Sequence, residues 1–125
     1  MHEDPHTLRI DRGDIFWITP EGSAQAAPNL RHPYVVVQED VFNHSRIATV
    51  VVCALSSNLQ RAHEPGCLLL DDGEGGLPRR SVVVVSQIES VEKASLGDRI
   101  GSLSAERVEQ ILSGLRFLQR SYFQR

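Results

Sequence analysis

RHPYVVVQEDVFNHSRIATVVVCALSS, residues 31–57, holds two continuous apolar runs, Tyr34–Val37 and Thr49–Leu55. β-Branched side chains crowd both runs and favour pleated strands over helix. Apolar residues at successive positions, not alternating ones, predict strands buried on both faces. Polar groups stand at the ends of the runs: Arg31 and His32 before the first, Asn43-His44-Ser45 between them, Ser56-Ser57 after the second. A rigid pair of strands with polar groups at its ends can hold a site still.

Outward from this pair, Ile15–Thr19 reads as a first strand, ended by Thr19-Pro20-Glu21-Gly22. The connection over residues 20–32 is rich in small and turn-forming residues, and Pro33 is the expected start of the second strand. Gln38–Ser45 reads as a polar loop in which Phe42 tucks inward, and Trp17 reads as core. After Ser56-Ser57 a polar turn, with room for one helical turn, leads to a fourth strand at Cys67–Leu70. The glycine-rich Asp71–Pro78 is a turn whose acid argues against a phosphate cradle. Ser81–Val85 is a buried strand, and the alternation from Ser86 to Glu92 predicts that it leaves the core with one face in water. Ser104 caps a terminal helix with an apolar stripe of Val108, Ile111, Leu112, Leu115 and Leu118, in which Gly114 costs about 1 kcal/mol of propensity. The expected architecture is mainly β with a C-terminal helix, a small, partly open barrel. Residues 1–11 read as a flexible polar start and residues 12–125 as a single domain.

The chain has 125 residues, 41% hydrophobic and 23% charged, a globular composition. No apolar run approaches the ~20 residues that span a bilayer. The acidic, polar start MHEDPHTLRIDRGD is unlike a secretory signal or transit peptide, so the expected compartment is the cytoplasm, with no membrane partner. Cys53 and Cys67 are too few for a disulfide scaffold and lack zinc spacing. His2, His6 and His63 are scattered without ligand spacing, so neither a metal nor another cofactor is expected. The formal net charge is −3, yet residues 31–61 carry three basic and two acidic residues, and residues 99–125 five and two. Phosphate can be bound by such a local excess.

RGDIFWITP, PYVVVQEDVFN, TVVVCALSSN, SVVVVSQIESVEK and LGDRIGSLS, in this order from about Arg12 to Leu118, resemble the MazF/PemK family of toxin endoribonucleases. The resemblance implies an SH3-like, partly open barrel forming a symmetric homodimer with RNA in a groove across it. It implies a metal-independent ribonuclease that cuts single-stranded mRNA at a short sequence, leaving a 2′,3′-cyclic phosphate and a 5′-hydroxyl. It also implies a MazE-type antitoxin whose acidic tail fills the groove. Two family positions carry the chemistry: an Arg directly before the Pro that opens strand two, matched best by Arg31, and a Thr after strand three, matched by Ser56. His32 stands between Arg31 and Pro33, so either Arg31 or His32 faces the phosphate. Ala24 stands where many members have Glu, and Glu89 and Ser95 where basic residues are common, so no cutting sequence is carried over.

The chemistry fits these residue types. Attack by a 2′-hydroxyl builds negative charge on the nonbridging phosphate oxygens, and a guanidinium fork offsets it. Arginine stays protonated, so a proton-transfer role suits it poorly. Ser56 can donate to a phosphate oxygen, and an imidazole such as His32 can serve as acid or base if it faces the groove; the other reading is a surface histidine. Gln25, Asn43, His44, Ser57 and Gln87 are candidate RNA-binding residues suited to unstacked bases, with loop contacts as the alternative for each. Arg79 and Arg80 read equally as phosphate contacts or a solvated turn. Two other readings stand beside the nuclease: a non-enzymatic, CcdB-like gyrase-binding toxin, and a degenerate member that only binds its antitoxin.

Overall fold

The computed structural model describes residues 9–19 and 30–123. Six strands form one antiparallel sheet: β1 Asp14–Ile18, β2 His32–Val36, β3 Thr49–Ser56, β4 Leu68–Leu69, β5 Val82–Glu92 and β6 Leu96–Ser102. Their spatial order is β4-β5-β3-β2-β1-β6. A short helix α1, Asp40–Asn43, lies between β2 and β3, and helix α2, Ala105–Phe123, ends the chain. The mainly β, partly open arrangement with a terminal helix is the one expected from the sequence.

The continuous apolar runs are buried on both faces, as their pattern requires. Successive residues alternate between two cores. Ile15, Val35, Cys53, Leu55 and Val83 join Leu103 and Ile111 on the face covered by α2. Phe16, Ile18, Val36, Val50 and Val52 pack together on the other, with Tyr34 and Leu96 at its margin. Cys53 is fully buried, and burial pushes its thiol up to about 12, which leaves it a hydrophobe and not a nucleophile.

α2 begins at Ser104, whose Oγ accepts from the Arg107 N–H at 3.2 Å. Gly114, a propensity cost in sequence, is buried against the Gly66 carbonyl, where a Cβ would have no room. Close approach of helix and β3–β4 link is the reason for glycine there. Arg107, on the polar side of the helix, reaches the turn between β4 and β5: its Nε donates to Glu74 at 2.8 Å and its Nη2 at 3.1 Å. The Arg107 hydrogen bond holds the Glu74 carboxyl below its usual range. The Glu74–Gly76 turn lies against β6, where Gly101 faces the Gly75 carbonyl without space for a side chain. A turn thus covers the gap between the sheet's unpaired edges.

Several local expectations are corrected. β2 begins at His32, one residue before Pro33. Residues 38–45 are not all loop but contain α1, and Phe42 is 48% exposed instead of tucked inward. Trp17 is only half-buried, because its side of β1 opens onto a cleft. β6 was not read from the sequence as a strand; its glycines and charges hide the pattern.

β5 leaves the core where its residues turn polar. Val82–Val85 are buried, and Ser86–Ser90 are all exposed, not wet on one face only as the alternation implied, because the bulge carries them off the core. Ala54 of β3 pairs with Val84 while the preceding Cys53 pairs with Ile88, so Val85, Ser86 and Gln87 bulge from the ladder. Such a bulge bends a strand and re-aims its side chains.

Candidate active site

The cleft lies at the end of the sheet where β2 begins and β3 ends. Antiparallel pairing sets this: Tyr34 faces Ala54, so Arg31 and His32 precede Tyr34 on one strand as Leu55 and Ser56 follow Ala54 on the other. Arg31, His32, Ser56, Ser57 and Gln87 all line one open cleft of about 610 Å³. The bulge in β5 brings Gln87 there; sequence distance from Ser56 alone gives no such neighbour.

Arg31 is exposed, and its guanidinium carbon sits 4.4 Å from the centroid of the Trp17 ring. A cation over an indole face gains about 0.5–1 kcal/mol at an exposed site. Trp17 reaches this position because it pairs with Pro33 in the β1–β2 ladder. The ring therefore supports a flexible side chain at the cleft mouth. His32 lies in β2 beside Ile18, exposed and lining the same cleft. Both Arg31 and His32 reach the cleft, so the extra residue before Pro33 removes neither.

Ser56 Oγ accepts from the Asn58 N–H at 3.1 Å. That bond occupies a lone pair and leaves the hydroxyl proton as a donor toward the cleft. Arg61 and Arg79 add positive charge to the lining. Arg61 was not singled out in the sequence. It comes from the Leu59–His63 turn and is paired with Glu64 at 2.7 Å, a hydrogen bond that raises the arginine and lowers the carboxyl. Arg79 and Arg80 separate: Arg79 lines the cleft, whereas Arg80 donates to the Leu70 carbonyl at 2.9 Å. The one faces the cleft, the other holds a turn.

Asn43 and His44 are not brought to the cleft. They lie at the opposite end of the β2–β3 pair, and Asn43 is buried. Its amide donates to the Gln38 carbonyl at 2.7 Å and to Asp40 at 3.0 Å, and its Oδ1 accepts from Gln38 at 3.0 Å. Both amide donors are used inside the protein, and none is left for a base. His44 Nε2 is 2.8 Å from Asp11 Oδ1. Gln25 lies outside the described residues.

The model for PemK-like, MazF-like toxins of type II toxin–antitoxin systems matches residues 11–118. The chain belongs to this family. Similar to this PemK/MazF-like toxin is endoribonuclease MazF6 of Mycobacterium tuberculosis, 36% identical over 107 residues that cover 86% of this chain and 94% of the relative. Endoribonuclease EndoA of Bacillus subtilis is 29% identical over 110 residues, 86% and 91% of the two chains. Among solved structures, an endoribonuclease in complex with its cognate antitoxin from a mycobacterial species superimposes with a TM-score of 0.71 at 21% identity, covering 89% of this toxin and 95% of that chain. A MazE–MazF structure from Deinococcus radiodurans gives 0.70 at 16% identity, over 90% and 97%. These likenesses bear out the fold. Among the toxin's described residues, no helix is long and apolar enough to cross a membrane.

Proposed function

We propose that this toxin is a metal-independent endoribonuclease that cuts single-stranded mRNA at a short sequence and is silenced by a cognate MazE-type antitoxin. The observation that carries the reading is the convergence of Arg31, His32 and Ser56 on one cleft, in a chain of the PemK/MazF-like family. The name endoribonuclease borne by relatives that align over most of both chains supports it.

In this mechanism the 2′-oxygen of the nucleotide before the cut attacks the adjacent phosphorus. The P–O2′ bond forms and the P–O5′ bond breaks, giving a 2′,3′-cyclic phosphate and a 5′-hydroxyl. Arg31 stabilises the charge growing on the nonbridging oxygens, and Ser56 donates to one of them. His32 accepts the 2′-proton while water protonates the departing 5′-oxygen, or His32 protonates the 5′-oxygen while water takes the 2′-proton. Arg61 and Arg79 hold flanking phosphates, and Ser57 and Gln87 bond to bases. Gln25 is the further base contact on this reading, while the loop reading is taken for Asn43 and His44. Two copies form a symmetric dimer with the RNA groove between them, and the antitoxin's acidic tail occupies the cationic cleft.

The test is a digestion of long RNA with EDTA present. Discrete cuts ending in cyclic phosphate are expected from the parent, and far slower cutting from Arg31→Ala. Equal cutting by that variant would overturn the assignment of Arg31. Intact RNA from the parent, with stalled gyrase, would replace the nuclease by a gyrase-binding toxin.

A further inference from the structure

Beyond the cleft, across the same three strands, lies a shallow recess of about 250 Å³ walled by Tyr34, Ala54, Gln87, Ile88 and Glu89. We infer that this recess is a base-reading subsite that takes the Watson–Crick edge of a guanine in the substrate RNA. The inference rests on the nuclease reading above and deepens it.

Charge is the first argument. The cleft is lined by Arg31, Arg61 and Arg79, whereas the recess holds Glu89 and no cation. An ionised carboxylate repels phosphate, so the part of an RNA strand that enters the recess is a neutral base. Recess and cleft share Tyr34, Ala54 and Gln87, so a base here is continuous with a phosphate at Arg31.

Shape is the second. Ala54 pairs with Tyr34 on one side and with buried Val84 on the other, and the bulge after Val84 brings Gln87, Ile88 and Glu89 to the recess beside it. Its single methyl leaves room in a recess that the aromatic Tyr34 also lines. Gln87 and Glu89 both line the recess, Gln87 coming from the bulge. A planar base fits such a recess beside an aromatic wall.

Donor pattern is the third. A carboxylate only accepts, with about four lone-pair sites, and a Gln amide both donates and accepts. Tyr34 and Glu89 line the recess together; burial first, then Glu89, pushes the Tyr34 phenol above its usual range. The Glu89 carboxylate can take two parallel N–H groups, a charge-assisted bidentate pair. Guanine is the base whose edge offers two adjacent donors, N1–H and the 2-amino group, with O6 beside them for the Gln87 amide. Uracil sets one N–H between two carbonyls, which face the carboxylate unfavourably. Adenine and cytosine each offer one amino group beside a ring acceptor.

The experiment compares the parent and Glu89→Gln on a long RNA, with the ends sequenced. A guanine is expected at one fixed position beside the parent's cuts, and that preference falls about tenfold or more in Glu89→Gln, as loss of a bidentate base contact should. No guanine preference in the parent, or an equal one in Glu89→Gln, overturns the subsite. If the parent leaves RNA uncut, the nuclease reading fails by itself. The subsite is then decided by fluorescence anisotropy with oligouridine carrying one central guanosine or, in its place, inosine, which lacks the 2-amino group. Weaker inosine binding by the parent but not by Glu89→Gln sustains it, and equal binding of the two probes by the parent ends it.

Discussion

The two ends of the β2–β3 pair carry similar residue types to opposite effect. At one end Arg31, His32 and Ser56 face an open cleft with donors directed outward. At the other, Asn43 spends both amide donors inside the protein, His44 is engaged with Asp11, and Lys93 Nζ donates to the carbonyls of Phe42 at 3.3 Å, Asn43 at 3.0 Å and Ser45 at 3.1 Å. Arg12 joins this end too, its Nε donating to the Val37 carbonyl at 2.9 Å. That network satisfies the carbonyls that close α1 and fixes the loop. Polar groups at strand ends thus serve either structure or chemistry, and what separates them is whether their hydrogen bonds are already filled.

The comparison can be broken most sharply at Arg31. Arg31→Ala is expected to lower the cutting rate by about 10²–10³, the cost of losing one charge-stabilising donor, with the thermal midpoint unmoved. Asn43→Leu should do the reverse. Orphaning its buried partners costs about 1–3 kcal/mol of stability, read as a lower midpoint in urea, while folded protein cuts at the parent's rate. Loss of cutting in Asn43→Leu at unchanged stability would mean that the far end belongs to the site.

Trp17→Leu sharpens the account of the cleft. Removing the ring from under the guanidinium should slow cutting about two- to fivefold, matching about 0.5–1 kcal/mol, far less than removing Arg31 itself. The smallest effect is expected with acid. Asp11 is held below the usual carboxylate range, first by its hydrogen bond to His44 and then by Arg9. Its folded value is lower than its unfolded one, so the pair stabilises the protein above ordinary carboxylate pH and loses that contribution as pH falls through the depressed value. Urea midpoints from pH 6 to pH 3 should therefore fall slightly more for the parent than for His44→Ala; parallel curves would remove the His44 contribution.

Much of this was legible in residues. The valine runs announced strands buried twice over, and the alternation from Ser86 marked where β5 leaves the core. The stripe of α2 and its Ser104 cap were readable because period and cap chemistry are local. Trp17 was misread as core because aromatic and β-branched neighbours imply burial, and only the pairing with Pro33 shows that its face meets Arg31. Arg61 and the recess at Glu89 had no sequence signal, since each depends on a turn or bulge that gathers distant residues. Phe42 gave a false one, because hydrophobic residues are not always inside.

By itself, then, the sequence determined which segments pair, which faces they bury and which residue types were available for phosphate chemistry, because these follow from side-chain period and intrinsic chemistry. Only the tertiary structure decided which polar groups remain unspent. The register of β2 on β3 carries Arg31, His32 and Ser56 to one cleft, and the bulge after Val84 turns Gln87 toward them. Hydrogen-bond satisfaction is a property of neighbours in space, and a string of residues does not contain it.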